Sequence, residues 1–329
     1  MLKMLAGYPL SAPFALVLLF VYFGVLGESP VQRPEKIPRG SSFSVTRNLV
    51  LLNVSARKSD GMPLMGLAAA DFQVYEDGQE QEIVFFQEQN SPFQLMLLLD
   101  TSSSMKGDPL VEARRAASEM IESLPRGEVA LMTFNHAPLL VQPFTESGKA
   151  VRAAVMQTRA SGGTALYDAI GKALEQFDTQ RDQRQILVLL SDGKDEDSFT
   201  RFSKLEHDVQ SNVVTIYSIG EYSESERILY QAAGKHFREP EFDANLNPIW
   251  ILEELAELTG GLSFFPQKGE DLSPVFKEIL ADLKSQYLVG YEASSTSRQS
   301  EFRKIEVRLR QPERFGKVTL RTRSGYRTN

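Results

Sequence analysis

Three short stretches of this chain concentrate oxygen-bearing side chains of the kind that hold a hard cation. The first is Asp100-Thr-Ser102-Ser-Ser104, directly after the apolar run 94–99. The second is Ser161-Gly-Gly-Thr164, ahead of a helical pattern beginning at Ala165, and the third is Ser191-Asp192-Gly193, directly after the apolar run 186–190. Each alone has an ordinary explanation: serine and aspartate crowd into turns, Thr164 suits a helix N-cap, and Asp-Gly makes a tight turn. Together they supply the carboxylates of Asp100 and Asp192 and the hydroxyls of Ser102, Ser104 and Thr164, with no soft ligand among them. With waters completing the shell, that set fits an octahedral Mg2+, whereas Ca2+ normally takes more carboxylates in a larger cage. Mn2+ and Ca2+ are the alternative ions.

Composition narrows the chemistry. The 329 residues include no cysteine, which excludes a thiol nucleophile, a zinc–thiolate site and a disulfide framework. The three histidines, His136, His207 and His236, form no His-Glu-x-x-His pair, so a zincin-type hydrolase is excluded too. A net charge of −7 argues against a nucleic-acid binder. A 42% hydrophobic content supports a packed core, and the length suits one large or two modest domains.

The loops need elements to hold them. Apolar runs at 94–99, 129–134, 186–190 and 213–219 alternate with amphipathic segments. Leu110, Ala113, Ala117, Ile121 and Leu124 recur at helical spacing behind Asp108 as N-cap and Pro109 at the first helical position. Leu166, Ile170, Ala173 and Phe177 mark a second helix, and residues 249–258 a third, closed by Gly260-Gly261. Leu272, Phe276, Ile279 and Leu283 mark a fourth. The alternation predicts an α/β fold, a doubly wound, mostly parallel sheet with helices on both faces. Loops leaving the carboxyl ends of such strands form the usual ligand site, so the three stretches share one edge. Around them, Asp195-Glu196-Asp197 reads as solvated surface and Asp168 as a structural carboxylate meeting a helix dipole. Trp250 is expected to pack on the sheet, and residues 236–247, without periodicity, read as a surface insertion.

The flanks have strand texture. Residues 49–54 alternate, and Phe72-Gln-Val-Tyr-Glu runs into the hairpin dipeptide Asp77-Gly78, with 83–87 as the returning strand. Farther on, Ile305, Val307 and Leu309 alternate with charged residues. Neither flank has enough strands to stand alone, so 43–91 and 287–329 are expected to meet in one small β domain beside an α/β domain at 92–286. From Arg298 onward ten Lys/Arg face three Asp/Glu, read as the basic outer face of a half-exposed strand pair. At the other end, Lys3 precedes an unbroken apolar run at 14–26, which makes 1–27 a secretory signal peptide. The uncharged stretch 4–27 is also long enough to cross a bilayer of about 30 Å, the alternative being an uncleaved inner-membrane anchor. Either way the body is exported to the periplasm, the cell envelope or beyond. Residues 28–42, with Pro30, Pro34 and Pro38, form an extended linker.

Asp100, Ser102, Ser104, Thr164 and Asp192 resemble the metal-ion-dependent adhesion site of the von Willebrand factor A (VWA) domain, and the likeness extends over about residues 92–286, including the Gly-Gly-Thr-Ala-Leu-Tyr-Asp-Ala-Ile stretch. The resemblance implies that Ser102 and Ser104 coordinate the ion directly. It makes Thr164 a direct or water-mediated ligand, and has Asp100 and Asp192 hold coordinating waters or bind directly. It also implies that the last helix of the domain, 272–283, shifts as the ligand set rearranges. The flanking pieces Gly66-Leu67, Asp71-Phe72, Glu76-Asp77-Gly78, Arg303-Lys304-Ile305 and Gly325-Tyr326 are similar to an exported bacterial "VWFA-related" family common in Acidobacteria.

The function so implied is that of an exported, noncatalytic adhesion module. Two aspartates leave a divalent ion incompletely neutralised, and an Asp or Glu carboxylate of a protein partner can complete its shell. A metal-dependent hydrolase is one alternative. Against it, a single Mg2+ with few acidic ligands lowers the pKa of a water too little, and no histidine lies in the three loops to act as base, His136 being the nearest. A structural envelope protein with an idle site is the other. Nucleic acid is not an expected partner, and a membrane enters only through an uncleaved N-terminal segment.

Overall fold

The computed structural model describes residues 49–88, 92–178, 183–233, 247–293 and 301–328. The signal-peptide and linker expectations, and the 236–247 insertion but for Asn247, fall outside them. The chain divides into two compact units, Met1–Val45 and Thr46–Asn329, and every described residue belongs to the second.

The chain begins with strands β1 (Leu49–Lys58), β2 (Phe72–Glu76), β3 (Gln79–Gln81) and β4 (Ile83–Gln87). Then follow β5 (Phe93–Asp100), α1 (Asp108–Ser123), β6 (Glu128–Phe134), β7 (Pro138–Thr145), α2 (Gly148–Gln157) and α3 (Leu166–Leu174). Next come β8 (Arg184–Leu190), α4 (Phe202–Gln210), β9 (Thr215–Ile219), α5 (Glu224–Ala233), α6 (Pro248–Thr259), β10 (Ser263–Phe264) and α7 (Ser273–Leu283). Strands β11 (Gln286–Glu292), β12 (Phe302–Leu309), β13 (Val318–Arg321) and β14 (Gly325–Arg327) close the chain.

The central sheet has the order β10-β9-β8-β5-β6-β7 and is parallel except for the edge strand β7. Every residue of β5 and β8 is buried, which explains their continuous apolar runs. Side chains still alternate between faces. Leu95, Leu97 and Leu99 pack with α1, α2 and α7, whereas Met96 and Leu98 pack with α3, α4 and α6. The fold is therefore the expected α/β sandwich, with helices on both faces of a mostly parallel sheet.

Strands from the two flanks interleave. They form two four-stranded sheets, ordered β13-β1-β11-β4 and β14-β12-β2-β3, around a shared core of Leu52, Val54, Phe72, Val74, Tyr287, Val289 and Ile305. The expected hairpin partner was wrong. Asp77 (φ 49°) and Gly78 (φ 82°) make a two-residue turn, so the next residues, β3, return along β2. The chain then crosses to the other sheet, where β4 pairs with β11.

The basic C-terminal segment also differs from a simple solvated face. Arg323 is buried and donates to the carbonyls of Asn212 (2.6 Å), Gln210 (2.6 Å) and Gly325 (2.8 Å). Burial pulls its guanidinium down to about 10. Arg327 donates to the Gln210 side chain, and Arg321 reaches the buried Asp282 of α7 at 2.5 Å. These arginines tie the last strands to α4 and α7. At α1, Gly107 rather than Asp108 takes the N-cap position, with a φ of 86° that glycine tolerates. Trp250 packs, as expected, against the core on one face of the sheet, and its ring also meets Phe202 of α4, with centroids 5.2 Å apart.

Candidate metal centre

Parallel neighbours β5 and β8 run in register, Leu99 opposite Leu190, so the chain leaves both at the same edge. Asp100 is fully buried there, and both its oxygens are held: Oδ1 accepts the Ser102 N–H (2.8 Å) and Oδ2 accepts the Ser191 hydroxyl (2.8 Å). One carboxylate thus joins the first loop to the third. The hydroxyl oxygens of Ser102 and Ser104 lie 2.9 Å apart. Adjacent ligands of an octahedral ion at 2.0–2.1 Å would sit about 3.0 Å apart, so this pair already has the spacing of one octahedral edge.

Backbone hydrogen bonds fasten the second loop to the first. Ser103 N–H donates to the Gly162 carbonyl (2.9 Å), and Ser161 N–H to the Thr101 carbonyl (2.7 Å). Thr164 is buried, but Ala165 occupies the N-cap position of α3. Asp195 accepts the Tyr167 N–H at 3.0 Å instead, so the Thr164 hydroxyl is not spent on capping. The Thr164 carbonyl accepts the N–H groups of Glu196 (2.8 Å) and Asp197 (3.0 Å), which binds the second loop to the extension of the third.

Glycine is required at the turn of the second loop. Gly162 has a φ of +83°, and a side chain there would meet the His136 ring. A Cβ on Gly163 would collide with the Asp197 carboxylate, which itself lies 2.6 Å from His136 Nδ1.

Asp192 is one-sixth exposed at most, its Oδ1 accepting the Lys194 N–H at 3.2 Å and its Oδ2 lying 3.5 Å from Lys194 Nζ. The Tyr222 hydroxyl, three residues beyond β9, donates to the Asp192 carbonyl at 2.6 Å. A cavity of about 60 Å3 opens beside it, lined by Ser104, Ser191, Asp192, Lys194 and Glu221 among others. Both Glu221 carboxylate oxygens are buried without a hydrogen-bond partner. Burial pushes that group up to about 7, Lys268 opposing the shift. Burial likewise pushes the Asp100 carboxyl up to about 6; the bonds from Ser102 and Ser191 work against the rise, and the charge of Asp192 adds to it.

The donor set fits a hard divalent cation. It combines hydroxyl oxygens at octahedral spacing with two carboxylates whose mutual repulsion a cation relieves. Among the described residues no cluster of three or more His, Cys, Asp or Glu side chains forms a nest for an ion, and this site is distinguished by its hydroxyls.

Several participants were not singled out by sequence. Tyr222, Lys194 and Glu221 had no motif to mark them. The acidic trio read as solvated surface divides its labour: Asp195 is buried and caps α3, Asp197 pairs with His136, and Glu196 is exposed. Asp168 is structural, as expected, but through the next loop: its carboxylate accepts the N–H groups of Phe199 (2.9 Å) and Thr200 (3.0 Å). Burial opposes its ionisation, yet these bonds win and hold it below the ordinary carboxylate range.

Residues 95–194 match the family described as von Willebrand factor type A domain. An uncharacterized protein of a Synechocystis strain is 29% identical over 109 residues, 32% of this chain and 26% of that protein, so the chain spans about a quarter of the length of the curated relative it matches. Among solved structures, a von Willebrand factor type A protein from Catenulispora acidiphila aligns with a TM-score of 0.48 at 14% identity, over 88% of this chain and 75% of that one. Proximal thread matrix protein 1 from the mussel byssus, solved with a zinc-occupied MIDAS motif, aligns with a TM-score of 0.47 at 12% identity, over 63% of this chain and 49% of that one.

Proposed function

We propose that this chain, whose residues 95–194 match the von Willebrand factor type A domain, is a noncatalytic binding module. Its three loops would hold a divalent cation, Mg2+ in the first instance, for capture of a carboxylate on a protein partner. The observation that carries the reading is the convergence of Asp100, Ser102 and Ser191 in one hydrogen-bonded unit, with Ser104 beside it. Asp100, Ser102, Ser104, Thr164 and Asp192 would hold the ion. When bound, the ion supplies a positive charge with a coordination position that a partner's Asp or Glu can fill.

The chain's own residues keep that arrangement in place beforehand. Ser191 and the Ser102 N–H fix the Asp100 carboxylate, and Tyr222 fixes the Asp192 backbone. The Ser103–Gly162 and Ser161–Thr101 bonds keep the first two loops together. Loops ordered in advance lose less entropy on binding. A hydrolytic reading has weaker support: His136 is largely exposed and engaged with Asp197, and Lys194 beside Asp192 is also paired with Glu226, held above its ordinary value by those acids despite burial. The apolar segment at 14–26 supports export to the envelope or beyond.

Thermal melting in Mg2+ and in EDTA tests the proposal. Mg2+ should raise the midpoint of the wild-type protein, and Asp100→Ala or Asp192→Ala should abolish the rise. An envelope-extract protein retained by the wild type in Mg2+, released by EDTA and not retained by Asp192→Ala would be its ligand. A midpoint indifferent to Mg2+ would overturn the reading, and so would hydrolysis of ester, phosphate or peptide substrates lost in the same variants.

A further inference from the structure

Seven residues beyond Asp192, the chain presents a phenylalanine wholly to solvent. Phe199 is 99% exposed, well beyond the next most exposed large apolar side chains among the described residues, Leu229 (64%) and Leu139 (63%). Scattered surface apolar residues are common and by themselves mean little. Phe199 differs in how its backbone is held. Asp168 accepts both its N–H and that of Thr200. Ser198 Oγ accepts the Asp168 N–H (3.0 Å) and donates to Asp195 Oδ1 (2.5 Å), and the Glu196 and Asp197 N–H groups lie on the Thr164 carbonyl. The loop that lifts this ring into water is therefore bonded to the second metal loop and to the first turn of α3.

An aromatic ring on a pre-ordered backbone is the usual form of an interface anchor: it brings a large apolar area at little entropic cost. We propose that Phe199 is a specificity-determining contact for the ligand of the metal site. That ligand is then a protein segment in which the metal-binding Asp or Glu is followed or preceded, at a fixed offset, by an apolar side chain that packs on the Phe199 ring. The inference rests on the proposed function and adds the chemical character of the ligand. The carboxylates of Asp168, Glu196 and Asp197 share this loop region, so apart from the one acid that meets the ion the segment is neutral or basic, and a surface of many anionic headgroups is disfavoured.

The test uses a displayed peptide library with one fixed aspartate and random flanks, selected on the full chain in Mg2+ and eluted with EDTA. Wild-type protein should enrich an apolar residue at a constant distance from the aspartate. Phe199→Ala should bind the enriched peptides roughly thirtyfold more weakly, the size of an ordinary hot-spot loss. Because the ring touches nothing, that variant should keep the wild-type melting midpoint and its rise in Mg2+. Peptides that bind Phe199→Ala within about twofold of wild type would overturn the inference while leaving the metal reading intact. Phe199-dependent sedimentation with phosphatidylglycerol vesicles, or Phe199-dependent dimerisation, would also overturn it. Enrichment of only EDTA-insensitive peptides would remove the proposed function, and this inference with it.

Discussion

Replacing Asp282 with alanine should be the most damaging single change at the junction of the central and flanking sheets. This α7 carboxylate is completely buried, yet it accepts from Ser55 Oγ (2.7 Å), Arg57 Nε (3.1 Å), Tyr217 Oη (2.6 Å) and Arg321 Nη2 (2.5 Å). Those donors come from β1, β9 and β13, so one side chain joins three strands from two sheets. Its removal leaves two guanidinium groups facing each other beside a phenol whose O–H has lost its acceptor and which keeps only the bond from the Gln286 amide. Breaking a buried pair from one side costs about 3–5 kcal/mol. Arg57 keeps Glu278, Arg321 keeps the Gly260 carbonyl, and their side chains are 15% and 25% exposed, which places the loss near the lower limit. For a unit of about 280 residues, an unfolding entropy of about 2.1 cal/mol/K per residue converts about 3 kcal/mol into a midpoint drop of about 5 °C. Urea unfolding followed by circular dichroism measures the free energy directly. A loss under about 1 kcal/mol, within the range of an exposed ion pair, would refute the account of this junction.

Three further predictions concern the loops. Tyr222→Phe removes the hydroxyl that holds the Asp192 carbonyl and should cost about 1 kcal/mol of stability together with weaker Mg2+ binding by calorimetry; unchanged affinity would make Tyr222 a mere core residue. Glu221 sits above its unfolded value, up to about 7, so the folded state holds its proton more tightly. The stability so gained is complete below about pH 4.5 and is lost as pH rises through about 7, a fall on the order of 3 kcal/mol that Glu221→Gln should flatten in denaturation curves taken across that window. Gly163→Ala pushes the Asp197 carboxylate off His136 and should lower the melting midpoint slightly, by the worth of an exposed ion pair; an unchanged midpoint would show that the pair contributes nothing.

The legible parts of this fold are those in which one physical signal decides. Residues of β5 and β8 are buried on both faces, so composition alone marks them, and the Asp and Ser residues that follow them necessarily share an edge. The edge strand β7 escaped notice because its burial is only partial and Pro138 and Pro143 interrupt it. Helices α2 and α4 are short, ten and nine residues, and the buried stripe of each rests on two aliphatic residues, Val151 and Val155 in one and Leu205 and Val209 in the other, so each pattern spans little more than one turn. The partner of β4 was hidden for another reason: a tight turn at Asp77-Gly78 fixes only the three residues after it, while the pairing with β11 joins segments two hundred residues apart. At the site, the common edge of the loops carrying Asp100, Ser102, Ser104 and Asp192 was readable from the apolar strands that precede them. Their supports were not, since Ser191, Tyr222 and Asp195 act through contacts that only the folded chain creates.

The most direct measurement is a crystal of the full chain grown in Mn2+, with anomalous diffraction collected at the manganese edge. The account predicts one strong peak at the sheet edge, within bonding distance of Ser102 and Ser104 and coordinated, directly or through water, by Asp100, Thr164 and Asp192. A saturated crystal with no peak at that edge, or with manganese held only by other residues, would contradict it.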